Sequence, residues 1–166
     1  MNETGVIVTN TGPLIALATV RQLGLLGRLY GSVLVPEAVF QEVTAFGQHR
    51  PGAAELATAT WAVRTLLTNP PDPFLARSLG PGEAEAIALA VQLKARWLLV
   101  DDHRARQVAE LAYQLRVKGA AGILVAAKRN RLISAIAPLL AGMKTAGYYL
   151  ASNVIERALQ EAGEQP

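Results

Sequence analysis

At 166 residues, with 51% hydrophobic and 17% charged, the chain has the size and apolar content of one domain with a buried core. The absence of cysteine excludes disulfides, thiolate metal sites and cysteine nucleophiles. No apolar run reaches the ~18–20 residues of a membrane span and no basic segment with an apolar stretch behind it opens the chain, so the expectation is a cytoplasmic protein without membrane contact; its net charge of +3 suits a nucleic-acid partner without requiring one.

The segment Thr4 to Thr9 carries the β-branched run Val6-Ile7-Val8 and predicts a first buried strand, ended by Asn10-Thr11-Gly12-Pro13. Pro13 suits the first turn of a helix whose apolar positions are Leu14, Ile15, Leu17 and Ala18. A second helix over Leu23 to Tyr30 ends at Gly31, and Ser32 to Val35 predicts a second strand. Pro36 opens a helix with Val39, Phe40 and Val43 on its apolar face and Glu42 beside it. After a break over Gln48 to Gly52 come a short helix (Ala53 to Ala59), an edge strand (Trp61 to Leu67) and a Pro-rich loop (Thr68 to Pro73). A long Ala-rich helix from Gly80 to about Lys94 leads to Trp97-Leu98-Leu99-Val100, a strand that ends in Asp101-Asp102. A helix over His103 to Gln114, a weak strand over Leu115 to Lys118, helices over Ala120 to Lys128 and Ile133 to Ala146, and a helical tail from Ser152 complete the order. Strands alternating with helices predict an α/β fold with a mainly parallel sheet covered on both sides. The expected division is a domain over residues 1–150 and a C-terminal helix over 151–166. That helix has a stripe of Val154, Ile155, Ala158 and Leu159, which packs on the domain or on a partner.

The acids are informative because Asp is scarce: Asp72 is the only one besides Asp101 and Asp102. In an open α/β sheet, ligands bind beyond the carboxyl ends of the strands. Asn10 and the Asp101-Asp102 pair sit at such ends, Glu83 and Glu85 open the long helix, and Glu42 follows the second strand. Gathered at one rim, these oxygens suit Mg²⁺ or Mn²⁺. Each also has a plain structural use. Asp102 and Asn10 suit helix caps, Glu83 and Glu85 suit a helix N-terminus, and Glu42 suits a solvated helix face. His49 and His103 lack the spacing of a zinc site, and Lys128-Arg129-Asn130-Arg131 most simply complements a helix C-terminus, with nucleic-acid contact the other use.

Four stretches in order resemble the PIN domain, the nuclease fold of VapC-type toxins, and in particular PIN-like proteins predicted to bind nucleic acid. They are Val6 to Leu17 (VIVTNTGPLIAL), Val35 to Val43 (VPEAVFQEV), Gly82 to Ala90 (GEAEAIALA) and Leu98 to Arg106 (LLVDDHRAR). Each is weak alone; in this order they carry a resemblance that covers about residues 5 to 145. The resemblance implies a three-layer α/β/α sandwich and a Mg²⁺- or Mn²⁺-dependent ribonuclease, of the kind found as the toxin of a toxin–antitoxin pair. The family's metal ligands fall on Asn10, Glu42, Glu85 and Asp102, with Glu83 and Asp101 as the neighbouring alternatives. Thr11 matches the hydroxyl that supports the first ligand, and Arg104 is placed to reach a phosphate or to be a solvated helix residue. The resemblance also implies a homodimer, RNA as substrate and a small antitoxin protein as partner. The departure is Asn10, where related sequences carry Asp, followed by Thr-Gly in place of Thr-Ser. An amide oxygen brings no charge to a cation, so metal binding and water activation both weaken. Asn10 marks either a divergent member or a substitution that silences a nuclease. The rival from another class is therefore a PIN-like module that binds nucleic acid or protein without cutting. A receiver domain is disfavoured because its acidic pair ends the first strand, and a dinucleotide site lacks its GxGxxG.

Overall fold

Among the described residues, five short strands form one all-parallel sheet in the order β3-β2-β1-β4-β5. They are β1 (Ile7–Thr9), β2 (Val33–Pro36), β3 (Ala62–Thr65), β4 (Trp97–Leu99) and β5 (Val117–Lys118). This is a computed structural model, and it describes residues 4–45 and 50–165. The helices are α1 (Thr11–Thr19), α2 (Leu25–Tyr30), α3 (Glu37–Thr44), α4 (Ala53–Thr58), α5 (Pro73–Ser78), α6 (Pro81–Gln92), α7 (His103–Gln107), α8 (Ala120–Arg129), α9 (Ala137–Thr145) and α10 (Ser152–Glu161).

The central strands β1, β2 and β4 are apolar at every position but Thr9, because both faces of the sheet are covered. Ile7, Val33, Val35 and Leu99 point into a core shared with α1, α2, α3, α8, α9 and α10. Val8, Leu98 and Val100 point into a second core built on α5, α6 and α7 through Leu75, Ile87, Leu89 and Ala105. Alternation along each strand thus makes the three-layer α/β/α sandwich, with β1 in the middle, its Val8 in register with Leu34 on one side and Leu98 on the other.

The strand order creates the site. From β1 the chain adds β2 and β3 on one side, then returns to place β4 and β5 on the other. The crossover connections therefore leave in opposite directions between β1 and β4, the point where open α/β sheets form a crevice at their carboxyl end.

Three expectations need correction. The loop expected over Thr68 to Pro73 leads directly into α5, which starts at Pro73 with Asp72 as N-cap accepting the Leu75 N–H at 2.9 Å. The helix expected over His103 to Gln114 is α7 followed by a π-helical turn over Val108–Ala112. The helix expected from Ile133 begins only at Ala137, because Pro138 belongs in a first turn and disfavours helical backbone before it. The break over Gln48 to Gly52 and His49 lie wholly or partly outside the described residues.

The α10 stripe is covered by the chain's own domain. Ala158 and Leu159 are buried, with Val154 and Ile155 partly so, in the core that includes α8. Beyond α10, Glu164 accepts from the N–H groups of Ile136 (2.8 Å) and Ala137 (3.0 Å) at the start of α9 and pairs with Lys128 (3.0 Å), which fixes the tail in place. Among the described residues, no helix is long and apolar enough to cross a membrane.

Candidate metal and nucleic-acid site

A cavity of about 920 Å³ opens at the switch point between β1 and β4. Asn10, Thr11, Glu42, Glu83, Asp101 and Asp102 all line it. Asn10 follows β1 directly, and its backbone N–H donates to the Leu99 carbonyl (2.8 Å), which ties the two strand ends together. The residue is 5% exposed, yet its side-chain Oδ1 is buried and has no hydrogen-bond partner. An acceptor left in that state forfeits about 1–3 kcal/mol of hydration.

Helices α3 and α6 pack in opposite directions and exchange carboxylates. Glu42, near the end of α3, accepts the Gly82 N–H (3.0 Å) at the start of α6, whose N-cap Gly80 has no side chain to do so. Its second oxygen accepts from the Thr11 hydroxyl at 2.5 Å. Glu85, one turn into α6, accepts the Ala38 N–H (2.8 Å) at the start of α3, where the N-cap is Pro36. Glu85 does not line the cavity; Glu83, two residues earlier, does. Burial, then the charge of Asp102 and that of Glu42, holds the Glu83 carboxyl above its ordinary range, against the Gly80 backbone and Arg104, which lower it. Arg104 is exposed and is not among the residues lining the cavity; its charge acts on Glu83.

The adjacent aspartates have different tasks. Asp102 caps α7, accepting the Ala105 N–H at 2.9 Å. Asp101 points inward: Oδ1 accepts the Ala120 N–H (2.9 Å), capping α8 in place of Gly119, and Oδ2 accepts the Tyr148 hydroxyl (2.5 Å). Burial raises the Asp101 carboxyl above its usual range in spite of Tyr148, the Ala120 N–H and Arg106, which all lower it. Burial and the Asp101 charge keep the Tyr148 hydroxyl protonated. Two glycines make room for this pair: a Cβ on Gly12 would lie 2.9 Å from the Tyr148 hydroxyl, and one on Gly119 would lie 2.5 Å from Asp101 Oδ1. Gly12, the departure next to Asn10, is thus matched to Tyr148.

Tyr148, Glu110 and Arg106 also line the cavity and carry no advance signal of it. Tyr148 lies 47 residues from Asp101 in a connector. Glu110 sits on the π-helical turn, a local distortion frequent at functional sites that no simple period announces.

Removing the Tyr148 hydroxyl gives a testable result. Tyr148→Phe should lose about 1–3 kcal/mol of stability, since it leaves a buried carboxyl one donor short. Asp101 has a raised folded pKa, so its favourable contribution is present below the unfolded value and is lost as pH rises through the folded value. Tyr148 lowers that pKa, so its loss matters most where Asp101 ionises. The deficit of the variant should therefore be small in acid and grow as pH rises, as read from urea melts at several pH values. A deficit independent of pH removes Asp101 from the explanation.

Oxygens, one orphaned acceptor and mutually repelling carboxylates are the donor chemistry of a hard divalent cation. The arrangement is open rather than caged: among the described residues, no group of three or more His, Asp or Glu is placed to hold a metal ion. It fits an ion that keeps most of its own water, as Mg²⁺ does.

A protein-family model described as a PIN domain matches residues 6–164, almost the whole chain. Comparison with curated proteins and with solved structures returned no match. The parallel sandwich, the acidic cavity at its switch point and the extent of this match lead to one conclusion: the chain belongs to the PIN-domain nuclease superfamily.

Proposed function

We propose that this protein is a PIN-type, Mg²⁺- or Mn²⁺-dependent ribonuclease whose activity is weakened by Asn10. The observation that carries this reading is the convergence of Asn10, Glu42, Glu83, Asp101 and Asp102 on one cavity at the sheet's switch point. In this reading Asn10, Glu83 and Asp102 hold the ion, and Glu42, fixed by Thr11 and Gly82, shapes the wall behind them. When bound, the ion supplies a water of lowered pKa and charge stabilisation at the scissile phosphate. Asn10 contributes an oxygen without charge. Arg104 draws the phosphate toward Glu83, and the Asp101–Tyr148 pair holds the β4 end and the C-terminal connector in place. Glu85 stays with α3 as its cap. The resemblance to toxin nucleases extends the reading to a homodimer held in check by a small antitoxin protein; the α10 stripe, covered by α8, gives that extension no support.

Titration with Mn²⁺ by calorimetry tests the assignment. Glu83→Gln and Asp102→Asn should each weaken Mn²⁺ binding by at least ~10-fold. Glu85→Gln should leave it unchanged while lowering the melting temperature. Mn²⁺ binding that follows Glu85 and ignores Glu83 overturns this ligand set. A second reading, a PIN module that binds without cutting, is favoured by the neutral Asn10 and by Glu42, both of whose oxygens are already engaged.

A further inference from the structure

A second groove, about 490 Å³, runs beside the acidic cavity between β5, α8 and α10. Among the described residues, its charged lining is Arg106, Lys118, Arg129 and Arg157 against one acid, Glu161. That acid is occupied locally by Arg157 (3.0 Å, one turn away), and its backbone carbonyl accepts from Arg129 at 3.4 Å. At the β5 end of the groove Lys118 is held against an aromatic ring, whereas Arg157 is largely exposed. The Lys118 ammonium lies 4.2 Å from the centre of the Trp97 ring, and Arg116 lies 4.4 Å from it. The basic sequence run at the end of α8 is divided between two tasks: Lys128 pairs with Glu164, whereas Arg129 and Asn130 line the groove. The groove meets the acidic cavity directly, since Arg106 and Val154 line both.

We infer that this groove holds the phosphate backbone of a single-stranded nucleic acid and leads it to the acidic cavity. The inference rests on the cavity being the place where a polynucleotide is processed. A cavity lined by Glu42, Glu83, Asp101, Asp102 and Glu110 repels phosphate, so a polyanion must be gripped next to it. Positively charged grooves that track the backbone are how single strands are held without base readout. Continuity through Arg106 sets the direction of the strand, from Arg129 and Arg157 toward Asp101 and Asp102. An acidic protein segment also suits the charge, but it does not explain why the groove opens into a cavity of carboxylates.

The test is fluorescence anisotropy of the full chain with a short labelled single-stranded RNA, in EDTA to prevent cleavage, at a series of salt concentrations. Each phosphate contact contributes roughly 0.7 to the slope of log affinity against log salt on a single strand. The double variant Arg129→Gln/Arg157→Gln should bind more weakly, with the slope reduced by roughly 1.4. The double variant Arg21→Gln/Lys94→Gln removes the same charge just after α1 and α6, from residues that line neither the groove nor the cavity, and should keep the wild-type slope. Thermal melts of both should match wild type, because the ion pair lost, Arg157–Glu161, is exposed. A DNA strand of the same sequence giving the same slope loss identifies phosphate as the group held. The same loss on RNA alone identifies the ribose hydroxyl as well. Equal slope loss in both double variants reduces the effect to net charge and overturns the proposal. Wild-type-like RNA binding by Arg129→Gln/Arg157→Gln also overturns it, leaving an acidic protein segment or simple protection of the β5 edge as the groove's use. Failure of wild type to bind either strand sinks the nuclease reading of the cavity together with the groove, which separates the two failures.

Discussion

Asn10→Asp should make the stability of the fold depend far more strongly on metal. The amide Oδ1 is buried without a partner and shares its cavity with Glu42, Glu83, Asp101 and Asp102. A carboxylate there meets like charge on most sides, and a buried charge without a partner costs about 3–5 kcal/mol. Without metal, the variant should therefore be less stable than wild type. The deficit should widen as pH rises, because burial and neighbouring acids raise the new group's pKa and it must ionise to do harm. Mn²⁺ reverses the sign. An ion that binds the folded chain at a hundred times its dissociation constant adds about 2.7 kcal/mol, and a charged first ligand should tighten that binding by at least ~10–100-fold. Thermal melts with and without Mn²⁺ read this without reference to activity. Ribonuclease activity should rise in parallel. A folded Asn10→Asp chain that Mn²⁺ does not restabilise, and that leaves RNA intact, decides for the binding module.

Gly82→Ala should be strongly destabilising even though alanine favours a helix by about 1 kcal/mol over glycine. Gly82 is in the first turn of α6, where a Cβ would lie 2.5 to 2.7 Å from the Glu42 carboxylate. Glu42 cannot simply step back, since one oxygen holds Thr11 and the other holds the Gly82 N–H. The carboxylate must leave, and with it go two charge-assisted hydrogen bonds, each worth about 1.5–3 kcal/mol. The expected net loss is on the order of 3 kcal/mol, measured by urea denaturation. Mn²⁺ affinity should fall as well, because the wall behind Glu83 moves. A double variant, Gly82→Ala/Glu42→Gly, relieves the clash and should lose less than the sum of the single changes. A neutral or stabilising Gly82→Ala refutes the placement of Glu42 at the head of α6.

The sequence by itself determined the layers. Runs such as Val6-Ile7-Val8 and Leu98-Leu99-Val100, apolar at every position and bounded by turn residues, suit strands covered on both faces, and the structure sends their alternate residues into two cores. It also determined that Asn10 and the Asp101-Asp102 pair end strands, because an apolar run stopping at polar residues marks that boundary. Helical geometry even determined that Glu83 and Glu85 diverge, since residues two apart are separated by about 200° around the axis. Only the tertiary structure decided which of them faces the cavity. That depends on where α3 lies, and α3 takes Glu85 as the cap that its Pro36 cannot supply. The same holds for the two aspartates. Adjacent in sequence, they differ because α7 begins at one and α8 and Tyr148 reach the other. Tyr148, Glu110 and the Arg129–Arg157 groove were not legible for a related reason: each joins segments far apart in the chain. Local patterns fix what a residue can do, whereas the partners brought to it by the pairing of β1 with β4 fix what it does.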